Sequence, residues 1–281
     1  MRRIPRQLTT GGNALGPIVQ RDIIHWDAKT NQTVQHELIG EEPLSIRIQG
    51  KPYSVVMRTP GDELAHVAGF CLGEGIIDRQ EDYTSLGFCG GGETNVVTVT
   101  LTPSRREKIL PTLERRSYIS QTSCGLCGKE LVQDLYQIIH PLTDDFALNI
   151  RNALRCLDDL PRFQPMRRQT KAAHAAAIYS RDFELLGVGE DVGRHNALDK
   201  AIGKVFLDRK LDRAALLILS SRISYELVQK AARARIPVIV AVSRPTGLAV
   251  ELAAELNMTI ASWAKQAGLF IFCGAQRLKG S

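Results

Sequence analysis

Long apolar runs are missing from this chain. The longest, Ala214–Leu219 and Val238–Val242, fall far below the roughly 18 residues that suggest a membrane span. A membrane is therefore excluded as its solvent. Arg2, Arg3 and Arg6 open the sequence, but Gly, Thr and Asn follow rather than an apolar stretch, so export by a signal peptide is not expected. Cysteine is sparse, six in 281 residues with only two closely spaced. That excludes a disulfide framework and points to the reducing cytoplasm. A second C-x-x-C or a close His pair is also lacking, so a structural zinc would be short of its four ligands, and no metal site is expected. There is no internal repeat. Gly187, Gly189 and Gly193 miss the G-x-G-x-x-G run of a dinucleotide-binding turn.

What is present is a chain 44% hydrophobic and 23% charged, with enough apolar content for a real core. Its net charge of +6 suits an anionic ligand, and permits nucleic acid without implying it. Residues 1–20 read as a flexible arm, with structure beginning near Ile18. Leu44, Ile46 and Ile48 alternate with polar residues before Gly50, then Tyr53–Met57 follows, a hairpin pattern. Asp62 is placed as N-cap of a helix whose apolar positions include Leu64, Val67, Ala68 and Cys71, which makes Cys71 a core residue. Val97, Val99 and Leu101 mark a half-buried strand, and residues 129–138 and 150–157 carry helical patterns, the second stopped by Pro161. Beyond Thr170, apolar strands near 175–179, 185–188, 214–219, 238–242 and 259–263 alternate with helical stretches 194–206, 225–235 and 247–256. That alternation predicts a mainly parallel sheet with helices on its faces. The expected organisation is α/β, with a small α+β domain over 21–145 and an α/β domain over 146–281.

The densest chemical signal is Ser123-Cys124-Gly125-Leu126-Cys127-Gly128. Two thiols at this spacing can form a disulfide, share a soft metal or pass a sulfane sulfur, and the thiolate is the reactive form each time. Five cations between Arg105 and Arg116 would favour a thiolate, or simply solvate a helix face. A second cluster, Gly189 to Lys200, follows a strand and opens a helix, where open α/β sheets gather binding residues. It contains Asp191, Arg194, His195 and Asp199. Asp191 is either the N-cap of a solvated helix start or, the favoured reading for the cluster, part of a site, and Asp199 stands one turn from His195, where it could orient the imidazole. Ser220, Ser221, Arg222, Ser224 and Glu226 repeat the arrangement, with Glu226 and Lys230 as an i,i+4 pair, and Ser243–Thr246 repeat it again. Three polar strand-to-helix junctions on one sheet edge predict a cleft there. His174, among alanines, reads from composition as a packed core residue.

These stretches resemble the accessory sulfurtransferases of formate dehydrogenase, the FdhD family. The match rests on Glu42–Ile48, Thr59–Ile77, the SCGLCG loop, GEDVGRHNALDK, SSRISYELVQKAA and SRPTGLAVELAAELNMTI, in the family's order. The resemblance implies a cytoplasmic homodimer that accepts persulfide sulfur from a cysteine desulfurase and passes it to molybdenum bis(molybdopterin guanine dinucleotide), bound as substrate, before formate dehydrogenase receives it. GDP would act as a partial mimic of that cofactor, and neither nucleic acid nor membrane is an expected partner. Position by position, the C-x-x-C falls on Cys124 and Cys127, with Cys124 favoured as persulfide bearer. The cofactor stretch falls on Trp263, Ala264, Lys265, Gln266, Ala267 and Gly268, with His174, Asp191, Arg194, His195, Ser221 and Arg222 expected to line the cleft. Where relatives often show Pro, Gly, Arg, this chain has Gln266, Ala267, Gly268, which leaves Lys265 as the stretch's own cation. Ala173 also replaces a Thr that commonly precedes the His. The family's larger domain looks like the cytidine deaminase fold, but deaminase chemistry needs H-x-E and a later P-C-x-x-C. Here Ala176 stands two places after His174, and Ser123 precedes the pair, so deamination is excluded. A thiol–disulfide oxidoreductase and a non-enzymatic cofactor chaperone remain as rivals.

Overall fold

The computed structural model describes residues 16–28, 30–89, 94–116, 139–143, 146–265 and 267–280. The expected arm lies mostly outside these residues, as do the helical pattern at 129–138 and the whole SCGLCG loop. The first strands, β1 (Ile18–Trp26) and β2 (Asn31–Ile39), form an antiparallel hairpin. Strands β3 (Glu42–Ile48) and β4 (Lys51–Arg58) form the predicted second one. Gln49 and Gly50 both take positive φ, 54° and 73°, as a two-residue turn between twisted strands requires.

Helix α1 (Glu63–Gly73) follows, then β5 (Tyr83–Phe88), β6 (Val96–Leu101) and α2 (Pro103–Arg116). The four strands pair in the order β4-β3-β6-β5. Asp62 does precede α1, but its side chain makes no cap; it takes a left-handed conformation and pairs with Lys204 at 2.7 Å. Cys71 is fully buried, as its helical position required. At the base of α2, Arg105 is buried rather than solvated. Its guanidinium donates to the carbonyls of Gly75 and Ile76 and pairs with Asp78.

The second half opens with β7 (Leu148–Asn149), α3 (Ile150–Asp159) and α4 (Pro165–Thr170). Strands β8 (His174–Ser180) and β9 (Leu185–Asp191) lead to α5 (Arg194–Leu207), β10 (Ala214–Leu219), α6 (Tyr225–Arg233) and β11 (Val238–Ala241). The chain finishes with α7 (Gly247–Glu255), β12 (Thr259–Ala264), β13 (Gly268–Cys273) and β14 (Leu278–Lys279), which pairs with β7. The large sheet has the order β13-β12-β11-β10-β8-β9.

That sheet is mixed, which corrects the mainly parallel one predicted. Strands β9, β10, β11 and β12 all run one way, because helices carry the chain back between them. No helix intervenes between β8 and β9 or between β12 and β13, so short turns make those pairs antiparallel. Alternate residues of the strands face opposite sides. Ala175, Ala177, Leu216 and Ile218 pack with Ala153 and Leu157 of α3. On the other face, Ile178, Leu217 and Ile239 join a core that includes Ile202 of α5, Val228 of α6, Val67 of α1 and Leu44 and Val97 of the four-stranded sheet. One buried cluster thus runs from the first half of the chain into the second.

The tightest helix contact is α1 on α5. A Cβ on Gly69 would lie 1.9 Å from the Asp199 carbonyl oxygen, and one on Gly203 would lie 1.7 Å from that of Ala65. Only glycine permits so close an approach. Among the described residues no helix is long and apolar enough to cross a membrane.

Candidate functional site

The common direction of β9, β10, β11 and β12 puts their C-terminal ends on one edge of the sheet. The antiparallel β8 and β13 begin there. His174 pairs in register with Asp191, Leu219 with Ala241, Ala241 with Ser262, and Ala264 with Gly268. At or beneath this edge lie His174, Asp191, Arg194, His195, Ser221, Arg222, Trp263, Ala264, Lys265, Ala267 and Gly268; Gln266 lies outside the described residues. From β9 to β12 is four interstrand steps, about 19 Å, enough for an elongated ligand. The N-termini of α5, α6 and α7 also open here, so three positive helix ends face the same side. The loops after β10 and β11 are joined by a bridge between Ile223 and Pro245 and by the Thr246 amide donating to the Ile223 carbonyl at 3.0 Å.

Beneath the edge lies a buried polar layer. Asp191 is fully buried and is not the N-cap of α5, a position held by Gly193. Its carboxylate pairs with Lys200 Nζ at 2.7 Å and accepts from the amides of Thr59 and Gly193 and from Asn196 Nδ2. Lys200 also donates to the Thr59 carbonyl at 2.7 Å. With its oxygens so engaged, Asp191 positions the start of α5 and ties it to the Thr59 turn, and does not present itself to a ligand. Ser221 is likewise buried, its hydroxyl donating to the Arg222 carbonyl.

The ion pairs across α5 and α6 also differ from the sequence reading. His195 does not meet Asp199, and Glu226 does not meet Lys230. The partners are exchanged between the helices. His195 Nε2 lies 3.6 Å from Glu226 Oε2 and 3.4 Å from Ser224 Oγ, at the edge. Lys230 donates to both Asp199 oxygens, at 2.8 and 2.9 Å, in the interior. The hydrogen bond from His195 holds the Glu226 carboxyl down to about 2, with Ser224 assisting against burial. Burial pushes Asp199 up to about 6, with Lys230 opposing.

At the edge itself positive charge dominates. His174 is half-buried, its Nδ1 has no partner, and burial together with Arg167, Arg194 and His195 lowers its pKa. It is not the satisfied core histidine that its alanine neighbours suggested. Arg194 begins α5 with an unpartnered buried Nε. Arg222 is exposed. Two arginines outside the predicted set belong here. Arg167 lies beside His174 and donates to the Ala173 carbonyl at 3.1 Å. Arg244 lies over the Phe270 ring at 3.8 Å and within 5.9 Å of Phe272. Its junction was visible in the sequence, but its stacking partners lie 26 and 28 residues further on. Arg244 thus places a guanidinium against β13, the strand that starts at Gly268, the last residue of the stretch in which Pro, Gly, Arg was expected. Among the described residues no three metal-ligating side chains come together.

Comparison with known proteins adds to this geometry. Residues 39–279 match the FdhD/NarQ family. A protein of Streptomyces coelicolor named sulfur carrier protein FdhD is 41% identical over 254 residues, 86% of this chain and 88% of its own length. A protein of the same name from Mycobacterium tuberculosis is 37% identical over 270 residues, covering 92% of this chain and 97% of its own. The crystal structure of a protein described as a formate dehydrogenase accessory protein of Desulfotalea psychrophila superposes with a TM-score of 0.74. It is 22% identical and covers 93% of this chain and 99% of its own, so the fold is shared. By sequence match and by relatives, this chain belongs to the FdhD/NarQ family.

Proposed function

We propose that this protein is a sulfur carrier of the reducing cytoplasm that serves a formate dehydrogenase. A cysteine desulfurase loads it, and it delivers sulfur to molybdenum bis(molybdopterin guanine dinucleotide) before that cofactor, its substrate, is inserted. In this reading it acts as a homodimer, and its larger sheet with flanking helices is a relative of the cytidine deaminase fold. The observation that carries the reading is the convergence on one sheet edge of His174, Arg194, Arg222, Arg244 and the Trp263–Gly268 turn, with three helix N-termini. An extended ligand bearing several phosphates has the charge and length to lie along such an edge. The unpartnered Nδ1 of His174 and Nε of Arg194 supply polar atoms that need a partner.

In the loading step, the Cys124 thiolate attacks the outer sulfur of the donor's persulfide. The donor's thiolate leaves, and Cys124 keeps the sulfane sulfur. For delivery as sulfide, the Cys127 thiolate attacks the inner sulfur of Cys124, and hydrosulfide departs. The sulfane sulfur gains two electrons, and the two cysteines, oxidised to a disulfide, are reset by a thiol reductant.

Intact-mass measurement after incubation with a cysteine desulfurase and cysteine tests the reading. A gain of about 32 mass units per persulfide is expected, lost in Cys124→Ala. Formate dehydrogenase activation by the variant lacking both Cys124 and Cys127 would sink sulfur carriage. A thiol–disulfide oxidoreductase would lose about 2 mass units on oxidation instead. For the cleft, calorimetry with GDP should show binding, and no heat with any guanine nucleotide would reject the placement.

A further inference from the structure

A second charged site lies at the opposite edge of the large sheet. Helix α6 leads away from the proposed cleft, so its C-terminal end, with Arg233 and Arg235, stands at the start of β11. A cavity of about 510 Å³ opens there, walled by the end of α6, by Glu74, Gly75 and Asp78 after α1, and by Lys108 and Ile109 of α2; Glu74 lies 4.0 Å from Lys230 of α6. Its floor is internally compensated. Arg105 and Arg233 both pair with Asp78, and Arg233 also donates to the Leu72 carbonyl at 3.1 Å. These groups have little charge left for a ligand.

The rim is different. Lys108 is exposed, and its nearest described carboxylate is the same Asp78, 4.0 Å away and already shared by two arginines. Arg235 is exposed and has no carboxylate partner among the described residues. It also holds a left-handed φ of 56° just past the end of α6, where glycine is favoured, so a guanidinium is kept there at a conformational cost. Ile109, Ile139 and Ala232 add aliphatic surface between the charges. Among the described residues no Phe, Tyr or Trp lines the cavity and His140 is its single ring, so it offers no row of stacking platforms for successive bases of a single-stranded nucleic acid. Cations around an aliphatic patch fit an acidic peptide segment better than a bare anion.

Position supplies the identity of the partner. Lys108 and Ile109 belong to the helix that leads into residues 117–138, and Ile139 and His140, which also line the cavity, follow them. Helix α2 runs on past Lys108 to Arg116, and the described chain resumes at Ile139, in the cavity wall and 12 residues after Cys127. We infer that the cavity is the docking site for an acidic segment of the protein that donates sulfur. Loading and cofactor binding then take place on opposite edges of the sheet, roughly 20 Å apart along a six-residue strand. This inference rests on the sulfur-carrier reading.

The test uses the full-length protein and a fluorescent oligoglutamate peptide at low salt. Lys108→Glu with Arg235→Glu should weaken peptide binding about tenfold or more, while Lys51→Glu with Lys279→Glu, the same change of charge elsewhere, should leave it unaltered. Equal loss in both pairs, or in neither, overturns the cavity as the dock. Displacement of the peptide by millimolar phosphate at constant ionic strength, or tighter binding of single-stranded RNA at the same rim, would overturn a peptide occupant. In the loading assay the rim variant should gain sulfur more slowly from a cysteine desulfurase, with normal loading from a small-molecule persulfide and unchanged GDP binding. Equal slowing with both donors would overturn docking. If the wild-type protein gains no sulfur from either donor, the sulfur-carrier reading fails, and the peptide experiment still reports on the cavity.

Discussion

At the scale of single residues, the protein is governed by where its charges are buried. His66 is fully buried. Burial first, then the positive charges of Lys200, Lys230 and Arg58, hold its pKa well below the usual 6.5. The folded state then refuses a proton that the unfolded chain accepts. Stability from this group is present above about pH 6.5 and is lost as pH falls below it, by at most about 1.4 kcal/mol per pH unit. Urea titrations at pH 7 and pH 5 should show this slope in the wild type and a shallower one in His66→Gln. A second residue-scale prediction concerns Arg244. Its guanidinium is held over Phe270, so it stands ready to pair with a phosphate. Arg244→Ala should weaken GDP binding roughly tenfold with no change in thermal stability beyond about 0.5 kcal/mol. If affinity is unchanged by calorimetry, the phosphates lie elsewhere. The sequence could show Arg244 only as one polar residue at a strand end, because the stack that orients it is a tertiary contact.

At the scale of elements, strands β8 to β12 and helices α3, α5, α6 and α7 were legible from apolar patterning, whereas α4, β13 and the short β7–β14 pair were not. Ala214–Leu219 has no polar residue, and all six of its residues are buried between helix layers. Strand direction was not legible, since the turns at 181–184 and 265–267 carry no strong hairpin signature. Ion-pair partners were not legible either. Helical periodicity reports i,i+4 neighbours within one helix and says nothing about the adjacent one. The exchange of partners between α5 and α6 makes Lys230→Met costly, by about 3–5 kcal/mol, because Asp199 is left buried without its cation. Adding Asp199→Leu should recover most of that loss in denaturant titrations. Equal destabilisation in the single and double variants would mean that the pair is not what holds the helices. The α1–α5 crossing is stricter still. Gly203→Ala brings a methyl into the Ala65 carbonyl and should cost about 3 kcal/mol or more, read as a lowered melting temperature with loss of soluble protein.

At the scale of the whole molecule, the sequence suggested two halves that meet near residue 145, and the buried core is shared by both. Leu44, Val67 and Val97 lie in the same cluster as Ile202, Val228 and Ile239. Thr59 of the first half is tied to Asp191 and Lys200 of the second. Calorimetry and circular dichroism should therefore report one coincident unfolding transition; two resolved transitions would show that each half carries its own stability. The glycine contact between α1 and α5 has a practical consequence. Gly69 and Gly203 let the two backbones touch at this crossing, so recognition between the halves is encoded in shape rather than in the covalent link between them. A chain divided after Arg116 would yield two pieces that complement each other in trans, and reassembly would serve as a reporter for any substitution that disturbs that crossing.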